Sequence, residues 1–427
     1  MKLQSIYIEN WRSIKYTHIF LDNLLILIGG NNSGKSSITT AISALINPII
    51  LQEELQNSII SAPLKIKGIF SNRENKKIEL MIFKFDNSSD IIYKKNEVPI
   101  SLEEYIKEIG EFNIFYITSL LEKNSSKIDL FIDYFKKFFP DFSLQSEIIN
   151  LNSKVDNYSL VRNLLFLNLK EFLKYLKKNN VKSLSKNVYL FIEYPELFLT
   201  PHGERELFYI FTELSKLGLF IGVETCSSRF VGIKQYSSIC MVKIIKGNSN
   251  FYQYRGSLFS GDEVKNFNMN YLVNSDRGEA FFSTKVLLVE GQTDKLLISY
   301  LAKKLNIFRY DYYILECGSK SLLPQFIKLL NSFNLKYIAI YDKDNHKWRT
   351  PIEKLSSNQK NKQIQKIINY DLGSYLEFSN DIEEELYSQP RKRMNYRNKP
   401  FIALSHAMSD NFTLSKSLEE KIKKIYK

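Results

Sequence analysis

A chain of 427 residues exceeds what one hydrophobic core usually organises, and 44% hydrophobic with 25% charged residues is the composition of neither a disordered nor a membrane-embedded protein. The formal net charge of +13 favours a polyanionic partner, nucleic acid or anionic lipid. Cys226, Cys240 and Cys317 are widely spaced and form no C-x-x-C pair, so they indicate neither a disulfide framework nor a structural zinc site and suit a reducing cytoplasm.

In chain order, the opening MKLQSIYIENWRS is polar and charged where a signal peptide is apolar, and no later apolar run approaches the ~18 residues of a membrane span. A cytoplasmic protein without a membrane segment is expected. Leu3 to Ile8 alternates like a strand, and Leu24 to Ile28 is an apolar run that ends in Gly29-Gly30 before a helical Ser36 to Leu45. Two β-rich stretches between Leu64 and Lys95 flank SNRENKK and read as antiparallel strands, and Ser101 to about Lys137 reads as helical. The segment 51–160 is therefore expected to form an inserted arm. Lys170 to Lys186 is a basic helical and loop stretch, followed by a strand at Val188 to Ile192, a helix, and a strand at Leu217 to Val223 that closes the fold.

Residues 257–283 carry turn chemistry and read as a linker. After them VLLVE, DKLLISYLAKKLN, YYILE, LLPQFIKLLNSF and YIAIYD alternate as strand and helix, a βαβαβ pattern that implies a parallel sheet. The Asn/Lys-rich stretch Ser357 to Gln365 reads as a surface loop. The expected organisation is two α/β domains, 1–256 and 284–427, joined by that linker.

Gly29-Gly30-Asn31-Asn32-Ser33-Gly34-Lys35-Ser36 matches the phosphate-binding pattern G-x-x-x-x-G-K-S/T and lies between an expected strand and an expected helix. The mechanism needs that context. Loop N–H groups cradle phosphates at the helix N-terminus, Lys35 reaches the outer oxygens, and the Ser36 hydroxyl, beside Ser37, ligates Mg²⁺. The surrounding IENWRSI and LLILIGGNNSGKSSITTAI resemble the start of ABC-type ATPases of the SMC, RecF and OLD group, with Arg12 at the matching arginine. That resemblance implies ATP binding by Gly29, Asn31, Asn32, Ser33, Gly34, Lys35, Ser36 and Ser37. It also carries a Mg²⁺-supporting role to Glu193 in Phe191-Ile192-Glu193-Tyr194-Pro195-Glu196. This chain departs from the group where Tyr194 stands for the water-activating acid and Cys226, in Thr225-Cys226-Ser227, stands for a histidine. The group's glycine-containing signature has Asn157-Tyr158-Ser159-Leu160 as its nearest candidate here. Weak or absent ATP hydrolysis is expected, with Glu196 as the alternative base.

Glu290 follows one expected strand, Asp294 lies one helical turn further on, and Asp342 and Asp344 end another. Adjacent parallel strands bring their C-terminal ends to one rim, where these acids are expected to converge. Asp342 and Asp344 share a side if the strand continues. Clustered carboxylates are hard oxygen donors for Mg²⁺ or Mn²⁺, ions that assist phosphodiester cleavage. The ordered set Glu290-Gly291, then Asp342-x-Asp344, resembles a Toprim domain. By the same resemblance Glu377 is a further metal-binding acid, Lys399 in Asn398-Lys399-Pro400 stabilises phosphate charge, and Ser319 or Lys320 lies near the scissile phosphate. An ABC-type ATPase followed by a Toprim domain resembles the OLD-family nucleases, among them antiphage subunits of Gabija type and others beside retron reverse transcriptases.

The resemblance implies a Mg²⁺- or Mn²⁺-dependent DNA endonuclease controlled by ATP. It implies catalytic Glu290, Asp294, Asp342, Asp344 and Lys399, metal held by those four acids with Glu377, and at least a homodimer. A helicase or reverse transcriptase is the implied defence partner. RNA as substrate, or a silent ATP-binding scaffold, stays open. The densest basic run, Arg391-Lys392-Arg393 with Tyr396, Arg397 and Lys399, is a candidate for backbone phosphate contacts.

Overall fold

The computed structural model describes residues 1–48, 62–71, 76–85, 90–110, 112–118, 130–131, 133–137, 139, 157–184, 187–231, 233–254, 256, 259–260, 263, 275–390 and 398–427. The chain divides into two compact units, Met1–Tyr254 and Arg255–Lys427.

In the first unit, β1 (Lys2–Trp11), β2 (Ile14–Phe20), β4 (Leu64–Ser71), β5 (Lys77–Lys84), β6 (Ile91–Lys95) and β7 (Val98–Ile100) form an antiparallel sheet in the order β2-β1-β4-β5-β6-β7. An irregularity in β1 between Leu3 and Ser5 resets the alternation, so Leu3, Ile6 and Ile8 all face the core. Asn96 and Glu97, both with positive φ, make the tight turn between β6 and β7.

The second sheet runs β12-β11-β3-β10-β9-β8, from β3 (Leu24–Ile28), β8 (Asn113–Ile117), β9 (Val188–Glu193), β10 (Phe220–Thr225), β11 (Ile239–Ile245) and β12 (Asn248–Gln253). Every pairing in it is parallel except β11 with β12. Strands buried on both faces read as unbroken apolar runs, as LLILI does. Helix α1 (Lys35–Ile46) shares one core with both sheets: its Ile38, Ile42 and Leu45 belong with Ile6, Ile8 and Ile66 of the first sheet and Leu25, Leu27 and Phe191 of the second. Helices α2 (Leu102–Ile109), α3 (Asn157–Lys178) and α4 (Pro201–Lys216) complete the unit.

Of the segment 51–160 expected as an inserted arm, 51–61, 119–129 and 140–156 lie outside the described residues. β4 pairs with β1 and β8 pairs with β9, so the described residues between 62 and 118 extend the two sheets, and Asn113–Ile117 is a strand where a helical stretch was expected. Apolar alternation marks a strand without saying which neighbour it will pair with. Tyr105 of α2 is fully buried and donates to the Leu45 carbonyl at 2.9 Å, fastening this stretch to α1.

In the second unit, β13 (Lys285–Val289), β14 (Tyr312–Glu316), β15 (Tyr337–Asp342) and β16 (Gly373–Phe378) form a wholly parallel sheet in the order β14-β13-β15-β16. It is accompanied by α5 (Gln292–Lys304), α6 (Leu323–Ser332), α7 (Pro351–Ile367), α8 (Ile382–Tyr387), α9 (Lys399–Met408) and α10 (Lys416–Tyr426). Leu287, Ile338, Ile340 and Phe378 pack with Leu297, Leu301, Ile382 and Ile422. The expected surface loop Ser357 to Gln365 lies inside α7. A Thr350–Glu353 capping box starts that helix, Pro351 sits in its first turn, and Ile364 is buried. Within the expected linker, Ser275–Phe282 is a short helix whose Ala280 and Phe281 are buried, while 257–258, 261–262 and 264–274 lie outside the described residues. Among the described residues no helix is long and apolar enough to cross a membrane.

Candidate functional sites

β3 delivers the chain into the glycine loop, and α1 begins at Lys35. Gly29 has φ 152°, and a Cβ there would lie 2.3 Å from the Val242 carbonyl oxygen; Gly34 has φ 98°, and its Cβ would lie 2.1 Å from Ser249 Oγ. Neither position admits a side chain. The buried Lys35 ammonium donates to the carbonyls of Gly29 at 3.1 Å and Gly30 at 2.8 Å, inside the loop. The loop backbone, the helix N-terminus and this ammonium suit a polyphosphate.

Beside it lies an acidic pair. Glu193 ends β9 and Glu224, on β10, is its register partner. Glu224 accepts from Ser36 Oγ at 2.5 Å and from Thr39 Oγ1 at 2.6 Å, while the Tyr116 hydroxyl of β8 donates to Glu193 and also reaches Glu224 at 3.2 Å. Burial raises the Glu224 pKa against the pull of those hydroxyls. Hard oxygen donors around the loop serine fit a Mg²⁺ ion.

The residues that depart from the ATPase pattern stand at this loop. Tyr194 has φ 45°, its hydroxyl is 3.5 Å from Asn31 Oδ1, its ring lies 5.5 Å from the Lys35 ammonium, and burial pushes its pKa up to about 12. Cys226 Sγ donates to the Gly29 carbonyl and to Asn31 Oδ1, both at 3.4 Å. Glu196 accepts from the Cys226 N–H at 2.9 Å, and burial raises its pKa. Arg162 of α3, a little after Asn157, donates to the Thr118 carbonyl at 2.8 Å and the Glu193 carbonyl at 2.9 Å and so braces the end of β9.

At the C-terminal rim of the parallel sheet, Glu290 accepts from the Asp342 N–H at 2.9 Å and ties the ends of β13 and β15 together. Asp294, in the first turn of α5, accepts from the Gly291 N–H at 3.0 Å. Burial, reinforced by Glu290 and Glu383, pushes its pKa up to about 7. Burial first, then Asp294 and Glu290, raise Asp342 well above the carboxylate range. Asp381 and Glu383, from the start of α8, act on Asp342 as well. Sequence reasoning passed over both, although Asp-Ile-Glu just after a strand is a readable acidic signal. Lys399 at the start of α9 lies 2.6 Å from Glu383.

Among the described residues no three His, Cys, Asp or Glu side chains are gathered tightly enough to hold a metal ion. Like charges without a cation between them repel, and a single ammonium, that of Lys320, stands between Glu290 and Asp344. Lys320 lies 2.6 Å from Asp344 and 3.5 Å from Glu290 and donates to Ser357 Oγ at 3.0 Å and to the Asp342 carbonyl.

Asp344 shares Lys320 with Glu290, while Glu377 belongs to the other face of the sheet. The strand ends at Asp342, and Asp344 has φ 61°, so its carboxylate turns toward Lys320, Arg349 at 2.6 Å and Ser357 of α7 at 2.9 Å. Burial opposes its ionised form, yet Lys320 and Arg349 hold its pKa below the ordinary value. Glu377 is the register partner of Tyr341, on the sheet face opposite Asp342; it accepts from Gln365 Nε2 at 3.3 Å and does not join the acids at the rim. Arg391, Lys392, Arg393, Tyr396 and Arg397 lie outside the described residues.

Residues 1–277 match the family model of an AAA ATPase domain, and residues 281–344 match that of the TOPRIM domain of overcoming lysogenization defect protein-like (OLD-like) proteins. The chain belongs to the AAA ATPase domain family, with an OLD-like TOPRIM domain behind it. Its make-up is that of an ATPase-linked nuclease. The Old nuclease of Escherichia phage P2 is 21% identical over 457 residues, covering 81% of this chain and 77% of the phage protein. The OLD nuclease of Thermus scotoductus is 23% identical over 159 residues, covering 36% of this chain and 30% of that protein. Among solved structures, an SMC head domain from Thermotoga maritima superposes with a TM-score of 0.40 at 14% identity, covering 60% of this chain and 100% of the other. For this OLD-like protein the TOPRIM match spans Glu290, Asp294, Asp342 and Asp344, and the ATPase match spans the loop and the Glu193–Glu224 pair.

Proposed function

We propose that this OLD-like protein is a Mg²⁺- or Mn²⁺-dependent endonuclease that cuts DNA under the control of bound ATP, as the effector of an antiphage system. The observation that carries the reading is the set of acids at one sheet rim, half-buried Glu290 and Asp342 with buried Asp294, and buried Asp381 and Glu383 beside them. Raised carboxyl pKa values mark a site short of positive charge, which hard divalent cations supply. When bound there, such a cation would stabilise the charge that develops on phosphate oxygens during hydrolysis. Lys399, against Glu383, offers a second positive charge to a phosphate, and Lys320 keeps Glu290 and Asp344 in place. On this reading Asp344 positions Lys320 and Arg349. Assembly as a homodimer or larger oligomer in the cytoplasm, with a helicase or a reverse transcriptase as defence partner, belongs to the same proposal.

The test is cleavage of plasmid DNA and of structured RNA by the full chain in Mg²⁺ and in Mn²⁺. Glu290→Gln and Asp342→Asn should each lower DNA cleavage by more than about 100-fold, beyond the loss typical of an outer-shell partner. Undiminished cleavage by both folded variants overturns the site. Cleavage of RNA with DNA left intact overturns the substrate.

A further inference from the structure

The motif that aligns on Pro195 assigns the metal-supporting acid of the ATPase unit to Glu193, the last residue of β9. The hydrogen bonds at the loop serine bring in a second acid, Glu224. β10 lies between β3, which carries the phosphate loop, and β9. The end of β10 is therefore nearer the loop by one strand spacing, about 4.8 Å. The residue placed there is Glu224, just before Thr225-Cys226-Ser227, and it is 1% exposed.

We infer that Glu224 is the carboxylate that positions Ser36 for the divalent cation of a bound nucleotide, with Glu193 set one strand behind it. Ser36 donates its proton to Glu224 Oε2 at 2.5 Å, which fixes the hydroxyl and leaves its lone pairs for a cation. Thr39, one turn along the same helix, donates to the other oxygen of Glu224 at 2.6 Å and locks the carboxylate in that pose. Tyr116 joins the two acids by contacting both. Glu224 is thus held by the hydroxyls of Ser36, Thr39 and Tyr116, and its register partner is another acid. A buried carboxylate bonded to neutral groups gains from a cation close by, and a Mg²⁺ ion beside Ser36 supplies one. The inference rests on the reading that this unit binds ATP. Glu224 acts through Ser36, as a positioning residue.

The experiment measures ATP binding to the full chain by calorimetry, in EDTA and across a Mg²⁺ titration, for the wild type, Glu224→Gln, Glu193→Gln and Ser36→Ala. Glu224→Gln should raise the Mg²⁺ concentration for half-maximal enhancement of binding by about tenfold or more, the loss expected of an outer-shell metal partner, and leave ATP affinity in EDTA unchanged. Glu193→Gln should shift it less. The effects of Ser36→Ala and Glu224→Gln should be non-additive, as for two groups that act as one unit. A Mg²⁺ dependence equal to that of the wild type overturns the inference, as does an equal loss of affinity in EDTA, which would mean a structural role. Should Glu224→Gln fail to fold, Glu224→Asp keeps the charge but shortens its reach, and a wild-type Mg²⁺ requirement in that variant overturns the inference equally. No binding of ATP by the wild type overturns the ATP reading itself and this inference with it.

Discussion

Asp294 shows how one residue's surroundings set its chemistry. Unfolded, its carboxyl loses its proton near the ordinary value of 3.8; folded, burial with Glu290 and Glu383 delays the loss to about 7. Between those values the folded state binds more protons than the unfolded one, so stability falls as pH rises through the window and the deficit is complete above it. In EDTA, Asp294→Asn should therefore be more stable than the wild type at pH 8, by roughly 1–4 kcal/mol in urea unfolding, and this advantage should vanish near pH 4. An identical difference at both pH values would refute the assignment. The sequence made Glu290, Asp294 and Asp342 visible because Glu-Gly after a strand and Asp at a strand end are local patterns. The shared side expected for Asp342 and Asp344 depended on the strand continuing, and it ends at Asp342, because a left-handed residue after the strand is a backbone event that the alternation rule does not register. The sequence passed over Glu224 because nothing in Phe-Ile-Gly-Val-Glu-Thr tells that this strand inserts beside the phosphate loop.

Helix α7 carries the same lesson at the scale of an element. Its composition, rich in Asn, Gln and Lys, reads as a loop, yet Thr350 Oγ1 accepts from the Glu353 N–H and Glu353 accepts in return from the Thr350 N–H at 2.8 Å. Capping gives the helix a start, and burial of Ile364 and Asn361 gives it a face. Thr350→Ala should cost about 1 kcal/mol in chemical unfolding. A stability equal to that of the wild type would show that packing alone defines this helix. Because Ser357 of α7 bonds both Lys320 and Asp344, the helix is part of what holds the rim, a role that its polar sequence conceals.

For the whole molecule, the question is what the nucleotide does. The phosphate loop is complete, but the position of the expected base holds Tyr194, whose pKa burial pushes up to about 12, and Cys226 stands where a histidine is usual. A phenol that holds its proton this firmly is a poor base at neutral pH. ATP is expected to bind with slow turnover and so to act as a ligand that selects a conformation. Phosphate release should rise in Tyr194→Glu, and Lys35→Ala should lose binding. Rapid turnover by the wild type would overturn this and point to Glu196, which already accepts from the Cys226 N–H.

Local spacing alone determined the phosphate loop, the order of a unit carrying that loop before a parallel α/β unit, and the first acids of the rim, because each is set by residues within a few positions of one another. Tertiary structure decided what depends on strand neighbours and on chain reversals. The stretch expected as an arm joined both sheets through β4 and β8. Glu224 came to Ser36 across 188 residues, and Lys320 came between Glu290 and Asp344. Sheet order is chosen by burial summed over whole faces, and that sum is not written in any short segment.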